Sequence, residues 1–248
     1  MSISGVQPKL PAVYDQKKKL YVVDPYGEYI LKPQTQSFSH IPENENMCMN
    51  IAEELGIDVP FHELVEMKDG SLAYIVKRFD RDKKGKLHQE DFSQILDQDK
   101  YKGSVEAIAK RIKEISAVPG LDTQLFFDRV IFNYLIGNGD AHLKNYSIIY
   151  DNNGAKRLSP AYDLVSSKLV IPKEEESAIA INGKKNNLSI KDFEAVAESL
   201  NIPKKVRYRL FEGKKNVFIK HATDSFLPEE NKETFIALVE QRSSTLRI

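Results

Sequence analysis

Asp140, Asn145 and Asp163 stand in an order and at a spacing that suit phosphoryl transfer. In a kinase type of site, one aspartate orients the acceptor hydroxyl and accepts its proton, an asparagine five positions later holds Mg²⁺, and a second aspartate holds a metal that bridges the phosphates. A predicted hairpin separates Asn145 from Asp163 and would return the chain beside the first loop. The hard oxygen ligands would then meet at one cation.

The same segment allows other interpretations, which the spacing alone leaves open. A loop rich in Asn, Gly, Asp and Lys is often only a turn, because these residues adopt left-handed conformations and form local hydrogen bonds. Asp140, His142 and Asp163 could also be the ligands of a hydrolytic metal site, although the sequence has no further histidine cluster to support that hypothesis.

A lysine and a glutamate upstream have the types that such a phosphoryl-transfer site requires. Lys32 ends the apolar stretch 29–31, and Glu45 lies thirteen residues later in the first turns of a predicted helix. A lysine that binds the α- and β-phosphates has to be held by a carboxylate, so we predict that these two side chains form an ion pair. Taken singly, Lys32 is as readily a solvated charge and Glu45 a helix N-terminal acid favoured by the macrodipole.

Two further segments could contact a nucleotide. The stretch 2–9 contains serine hydroxyls and one glycine that would let the backbone approach phosphates, although a frayed terminus explains it equally well. The stretch 76–79 ends a predicted strand where an adenine could lie, and an ordinary buried strand is the alternative. The candidate nucleotide contacts in these segments are Ser4, Gly5, Val6, Lys77, Arg78 and Phe79.

The elements that must position these residues form a β-rich part followed by an α-rich part. Alternating apolar residues and turn signals predict strands at 10–14, 20–23, 29–31, 61–67 and 72–79, with a helix at 43–55. A charged loop follows Phe79, so we predict a β-rich nucleotide-binding lobe at 1–80 and an α-helical catalytic lobe at 81–248. The second lobe should contain a hairpin at 146–158 and helices at 89–96, 104–115, 123–136, 190–200, 204–211, 216–223 and 229–246.

Composition excludes several classes of protein. Lys plus Arg number 36 and equal Asp plus Glu at 36, so the chain lacks the positive surplus of a dominant nonspecific nucleic-acid or membrane binder. The single cysteine, Cys48, cannot form an internal disulfide, and no apolar run approaches a membrane span. We therefore expect a soluble, cytoplasmic protein. The basic stretch 203–220 could contact DNA or tRNA, but a solvated helix face is the commoner explanation.

The motifs taken together, in their order along the chain, are far more specific than any one of them. They are 2–9 (SISGVQPK), 30–33 (ILKP), 43–45 (ENE), 55–60 (LGIDVP), 77–81 (KRFDR), 89–92 (QEDF), 139–145 (GDAHLKN), 159–163 (SPAYD) and 183–187 (GKKNN). This set resembles the HipA-like serine/threonine kinases, the toxins of type II toxin–antitoxin modules, and is most similar to the short HipT-type toxins. The resemblance implies an α+β, bilobal protein-kinase-like fold with a small β-rich N-lobe and a larger α-helical C-lobe.

The resemblance also implies roles for individual residues in an ATP- and Mg²⁺-dependent enzyme. Asp140 would be the catalytic base, Asn145 and Asp163 metal ligands, and Lys32 a phosphate ligand. His142 and Lys144 lie in the catalytic-loop motif of the family. Members autophosphorylate a loop serine, for which Ser2 and Ser4 are the candidates, and a phosphate there would be repelled by the phosphates of ATP.

Partners and substrates follow from the same resemblance. An aminoacyl-tRNA synthetase is the expected protein substrate, and its modification would inhibit translation. A HipB-like DNA-binding antitoxin is expected as a partner, with DNA contacted only indirectly, together with a HipS-like small subunit that corresponds to the subdomain missing from this chain. A small-molecule phosphotransferase and an inactive kinase-like module that binds an antitoxin are the alternatives, and the intact set of polar residues argues against the second.

Overall fold

Five antiparallel strands form a sheet in the first third of the chain, in the order β2-β1-β3-β5-β4. The computed structural model describes Gly5, residues 7–82 and residues 84–248. The strands are β1 (Leu10–Asp15), β2 (Leu20–Val23), β3 (Tyr29–Pro33), β4 (His62–Glu66) and β5 (Leu72–Lys77). They match the predicted strands to within about two residues at each end. β3 pairs with β5 so that Lys32 lies opposite Tyr74, in the middle of the sheet.

Helix α1 (Ile41–Leu55) packs against β4 and β5. It begins two residues before the predicted start, because Pro42 occupies one of the first helical positions, where a missing amide hydrogen does no harm. The helix ends at Gly56, whose φ of 88° is left-handed. Its buried residues include the polar Asn44 and Glu45, so one face of α1 carries polar groups into the interior.

Five short strands beyond the first sheet form a two-stranded and a three-stranded sheet. They are β6 (Arg81–Asp82), β7 (Gly85–Lys86), β8 (Gln89–Asp91), β9 (Ser147–Tyr150) and β10 (Lys156–Leu158). The predicted hairpin is confirmed as β9 and β10, and β8 adds to it as a third strand. The predicted helix at 89–96 is therefore wrong in its first half. Only α2 (Phe92–Leu96) is helical, because Asp91 caps it by accepting a hydrogen bond from the Gln94 amide.

The remaining helices build the second part of the chain. They are α3 (Val105–Ile115), α4 (Pro119–Ile136), α5 (Ile190–Ser199), α6 (Lys215–Asp224) and α7 (Glu229–Leu246). α4 is buried around most of its circumference, as its apolar composition predicts. The predicted helix at 204–211 is wrong, because only Lys204–Val206 forms a single 3₁₀ turn. There the buried Arg207 side chain donates to the Ile202 carbonyl at 3.0 Å and pairs with Glu194.

One hydrophobic cluster joins the two parts of the chain. It contains Met47 and Ile51 from α1 together with Phe132 from α4 and Phe218 from α6. α1 also packs directly against α6. The lobe boundary at residue 80 stays a prediction, although the sheet and the helices lie on its two sides. Among the described residues, no helix combines the length and apolar composition that crossing a bilayer would require.

Candidate active site

Lys32 lies at the centre of a buried ion-pair network. Its Nζ atom is 2.6 Å from Glu45 Oε1, and the two side chains are only 4% and 3% exposed. The ammonium also contacts Asp163 Oδ1, so two carboxylates share it. Burial alone would lower the pKa of Lys32, but Asp163 and Glu45 outweigh burial and hold this pKa above its usual range. β3, α1 and the segment after β10 thus meet at a single charged group.

Asp163 receives a second ammonium. Lys9 Nζ lies 3.1 Å from Asp163 Oδ2, and the Lys9 side chain is 37% exposed. Burial would raise the pKa of Asp163, but Lys32 and Lys9 together hold it far below its usual range, so the carboxyl stays ionised. The backbone of Asp163 is left-handed, with φ of 54°. Such a conformation is uncommon outside glycine and is often found at functional sites.

Asn44 ties α1 to the chain just beyond Asp163. Its Nδ2 donates to the Ser166 carbonyl at 3.0 Å, and its Oδ1 accepts from the Ser166 amide at 2.8 Å. Both residues are almost fully buried. Because Glu45 is the next residue in α1, this paired contact fixes the helix that carries Glu45 relative to the segment that carries Asp163.

The loop 137–142 follows directly from the end of α4. Gly137 ends the helix with φ of 74°, and the Gly139 amide donates to Ser167 Oγ at 2.8 Å. A side chain at position 139 would place its Cβ 2.3 Å from the Glu175 carbonyl oxygen, so only glycine fits there. Asp140 follows, and its Oδ1 accepts a hydrogen bond of 2.9 Å from the Tyr101 hydroxyl.

His142, Lys144 and Asn145 occupy a short 3₁₀ turn and its start. Asn145 Oδ1 accepts from the His142 amide at 3.0 Å. His142 is 2% exposed, and within the described part of the chain neither ring nitrogen has a hydrogen-bond partner. Burial lowers the pKa of His142, which favours the neutral imidazole. Lys144 Nζ is 3.9 Å from Asp91, and its side chain is 53% exposed at the cleft.

Three adjoining cavities collect most of the predicted site residues. The smallest, about 20 Å³, is lined by Lys32, Glu45, Asp140, Asn145 and Asp163 among others. The second, about 190 Å³, shares Lys32 and Asp163 with the first and is lined by Ile30, Tyr74, Val76, Lys77, Arg78, Phe79 and Tyr162. The third is an open cleft of about 490 Å³ that Gly5, His142 and Lys144 help to line. Ser2, Ser4 and Val6 lie outside the described residues.

Several site residues were missed by sequence reasoning. Tyr162 donates to the Lys144 carbonyl at 2.9 Å, and its ring lies 5.4 Å from that of Phe79. Its place next to Asp163 was a signal that could have found it. Lys9 belongs to the first motif but had no assigned role. Tyr101 had no signal in the sequence, because it reaches Asp140 across 39 positions from a loop without a motif.

The oxygen atoms of the smallest cavity suit a hard cation such as Mg²⁺. Asp163 supplies a carboxylate and Asn145 an amide oxygen, and the buried Asn138 Oδ1 in the same cavity has no hydrogen-bond partner among the described residues. Mg²⁺ is typically held by one or two carboxylates plus substrate phosphates, so this set fits it. A cation at Asp163 Oδ2 would have to take the place of Lys9, whose partial exposure allows the exchange.

A hydrolytic metal site made of Asp140, His142 and Asp163 finds no support. The described residues contain no group of three His, Cys, Asp or Glu side chains placed to hold a metal ion. His142 is also enclosed beside the ring of Tyr101, with the ring centroids 5.3 Å apart.

The family model that matches this sequence is the HipA-like C-terminal domain, over residues 1–218. The chain belongs to the HipA-like C-terminal domain family. A Haemophilus influenzae relative named "Putative kinase" is 39% identical to this HipA-like chain over 181 residues, which cover 67% of this chain and 52% of the relative. The serine/threonine-protein kinase toxin HipA of Shewanella oneidensis is 28% identical over 230 residues, which cover 82% of this chain and 52% of the relative. The HipA-like chain thus spans about half the length of the curated relatives it matches.

Solved structures confirm the predicted α+β, kinase-like fold. HipA of Shewanella oneidensis, solved with HipB and operator DNA, superposes with a TM-score of 0.82 at 22% identity and covers 100% of this chain and 66% of its own. The Helicobacter pylori proinflammatory kinase CtkA superposes with a TM-score of 0.66 at 17% identity, and the match covers 96% of this chain and 95% of CtkA.

Proposed function

We propose that this HipA-like chain is a protein kinase that transfers the γ-phosphate of ATP to a serine or threonine hydroxyl, with Mg²⁺ as the metal. The observation that carries the proposal is the position of Lys32, which contacts Glu45 and Asp163 in the cavity that Asp140 and Asn145 also line. This combination of an anchored lysine with separate base and metal ligands is what phosphoryl transfer requires. The names of the two curated relatives support the same class of reaction.

Each charged residue then has a distinct task in binding. Lys32 would bind the α- and β-phosphates, and Glu45 would keep its ammonium in place. Asn145 and Asp163 would hold Mg²⁺, which when bound supplies positive charge to offset the charge of the phosphates. Lys9 would turn from Asp163 toward the phosphates, because its long side chain is partly exposed.

Asp140 would act on the acceptor. Its carboxylate would orient the incoming hydroxyl and take the proton as the bond from the hydroxyl oxygen to the γ-phosphorus forms and the bond to ADP breaks. His142 is only 2% exposed, so its ring is enclosed rather than open to the acceptor hydroxyl. Its ring instead fills space beneath the loop that carries Asp140.

The 190 Å³ cavity is the proposed adenine pocket. Ile30 and Val76 offer apolar surface from the sheet, and the rings of Phe79 and Tyr162 offer aromatic surface from the other side. An apolar pocket with a few polar groups at its rim is the usual form of a nucleotide base site. Arg78 is held by a double hydrogen bond to Asp80, with both distances 2.9 Å, which places the guanidinium at that rim.

The finer identity of the protein is also proposed from the family resemblance. We infer a HipT-type toxin that phosphorylates an aminoacyl-tRNA synthetase in the cytoplasm and autophosphorylates on Ser2 or Ser4. A HipB-like antitoxin is the expected partner, because the neighbouring HipA structure contains HipB and operator DNA. A HipS-like small subunit is expected from the resemblance to the short HipT-type toxins.

Phosphate incorporation in a purified preparation tests the proposed reaction. Incubation with ATP and Mg²⁺ followed by mass spectrometry should find phosphate on Ser2 or Ser4 of the wild-type chain. Asp140→Asn should reduce the initial rate by about 100-fold or more, since general-base catalysis contributes on the order of 10²–10⁴-fold. Asp69→Asn, on the exposed turn between β4 and β5, is the matched control and should leave the rate unchanged.

The outcome that contradicts the proposal is equal modification of the wild type and Asp140→Asn, since a contaminating kinase would then explain the phosphate. Labelling of a panel of aminoacyl-tRNA synthetases, compared with labelling of small hydroxyl compounds, separates a protein kinase from a small-molecule phosphotransferase.

A further inference from the structure

The loop 97–103, between α2 and α3, is docked onto the loop that carries Asp140. The Leu143 amide donates to the Lys100 carbonyl at 3.1 Å, and Lys185 Nζ donates to the Tyr101 carbonyl at 3.3 Å. Gly103 permits close packing, since a Cβ there would lie 3.2 Å from the Leu143 side chain. The backbone on both sides of Tyr101 is therefore fixed against the Asp140 loop and against the turn that carries Lys185.

The Tyr101 side chain extends from this loop to two members of the predicted catalytic motif. Its hydroxyl donates to Asp140 Oδ1 at 2.9 Å. The edge of its ring packs against the His142 ring, with centroids 5.3 Å apart and planes at 76°. Lys100 Nζ lies 4.8 Å from the centroid of the same ring. The phenol is thus held at its ring as well as at its oxygen.

We propose that Tyr101 is a positioning residue for Asp140, which rests on the function proposed above. A hydrogen bond from a neutral donor to a charged carboxylate is stronger than one between neutral groups, so it can select a single carboxylate rotamer. Catalysis depends steeply on such placement, since a misplacement of about 1 Å can lower a rate by on the order of 100-fold. The Tyr101 hydroxyl acts through Asp140 and needs no contact with the nucleotide or the acceptor.

A substitution that removes only the hydroxyl tests this role. Tyr101→Phe retains the ring contact with His142, and we expect its kcat for phosphate transfer to fall about tenfold or more. The KM for ATP should stay within about twofold of the wild-type value, because the altered group orients the base rather than binding the nucleotide. The assay follows labelled phosphate from ATP and Mg²⁺ into the chain itself and into myelin basic protein as a generic acceptor.

Tyr150→Phe is the matched control. The Tyr150 hydroxyl on β9 also donates to a carboxylate, but to that of Glu90 on β8 and not to Asp140. Tyr150→Phe should therefore leave kcat unchanged. The melting temperature of every variant reports on its folding. If Tyr101→Phe does not fold, Lys185→Met removes the donor to the Tyr101 carbonyl and should lower kcat in the same direction.

The results that would overturn the inference are separate from those that would overturn the proposed function. A Tyr101→Phe kcat equal to that of the wild type would mean that ring packing alone suffices. A higher kcat would mean that the hydroxyl competes with the acceptor for Asp140, which is the opposite role. An inactive wild type would overturn the proposed function itself, and the role assigned to Tyr101 with it.

Discussion

The Lys32 ammonium contacts two carboxylates at the centre of the candidate site, and Lys9 adds a second ammonium at Asp163. Glu45 is buried and Asp163 largely so, and both lie within hydrogen-bonding distance of Lys32. A buried charge that loses its partner destabilises a folded chain more than the intact pair stabilises it. The same residue is therefore expected to matter for folding and for nucleotide binding.

Lys32→Met should reveal both contributions. Removing one partner of a buried ion pair costs roughly 3–5 kcal/mol, so we expect the free energy of unfolding to fall by about that much, as measured by urea denaturation. Phosphate transfer should also be lost. Lys68→Met, at the exposed β4–β5 turn, is the control and should change neither quantity. A Lys32→Met chain as stable as the wild type would contradict the coupling of Lys32 to both carboxylates.

At the scale of residues, the sequence could predict the site residues that belong to motifs, but few of the others. The separations among Lys32, Glu45, Asp140, Asn145 and Asp163 indicated a common site, and the structure brings these side chains together. The contact from Tyr101 to Asp140 depends instead on how the loop 97–103 docks, which no local pattern encodes.

Among the elements, α4 carries two aspartates whose surroundings act in opposite directions. Burial raises the pKa of Asp128 to about 7, although Gln124 donates to its carboxylate at 2.9 Å. Burial would raise the pKa of Asp122 as well, but hydrogen bonds from Arg157, Ser116 and the Leu158 amide outweigh it and lower that pKa. One helix therefore holds one carboxyl that favours its proton and one that stays ionised.

Asp128→Asn should change how stability depends on pH. Between about pH 4 and pH 7 the folded chain keeps a proton on Asp128 that the unfolded chain releases, so stability falls as the pH rises through this window. Asparagine can accept the same hydrogen bond and does not titrate. Relative to the wild type, the free energy of unfolding of the variant should rise by up to about 4 kcal/mol between pH 4 and pH 8, as measured by urea denaturation at each pH.

The control for this prediction is Asp122→Asn, which should be less stable than the wild type at pH 8 because the ionised pairing with Arg157 is lost. The free energy of unfolding can be plotted against pH for the wild type and for Asp128→Asn. If the two curves stay parallel from pH 4 to pH 8, Asp128 is ionised in the folded chain.

Helices were predictable where the apolar pattern extends over many residues. α1 and α4 repeat their apolar residues over several turns, and both were predicted to end at the observed residue, although α1 begins two residues and α4 four residues before the predicted start. β8 has three residues and gains its hydrogen bonds from β9, more than fifty positions away, so local pattern could not separate it from α2. The stretch 204–211 has helix-forming residues, but the buried Arg207 and its contacts hold it in another conformation.

Across the whole molecule, the sheet and the helices share a core. Side chains of α1 contact the same hydrophobic cluster as those of α4, α6 and α7. The sequence predicted two lobes from a shift in composition, but composition does not reveal which apolar faces meet. Whether residues 1–80 are a separate unit is therefore a question of energetics rather than of pattern.

We expect the chain to unfold in one cooperative transition. The fragment 1–80 should not fold alone, because it would expose Met47 and Ile51, which are buried in the shared cluster. Thermal unfolding followed by far-ultraviolet circular dichroism and by tyrosine fluorescence should give coincident midpoints. Two separated transitions, or a fragment 1–80 with dispersed amide resonances, would favour lobes that fold independently.

The left-handed backbone at Asp163 bears on how this position should be mutated in any survey of the molecule. Alanine would remove the carboxylate and also disfavour the local peptide geometry, so an alanine library would merge a chemical defect with a conformational one. Asparagine tolerates that geometry better and keeps one oxygen, which makes Asp163→Asn the cleaner probe of ligand charge. Glycine at the same site would report on the backbone requirement alone, once compared with alanine.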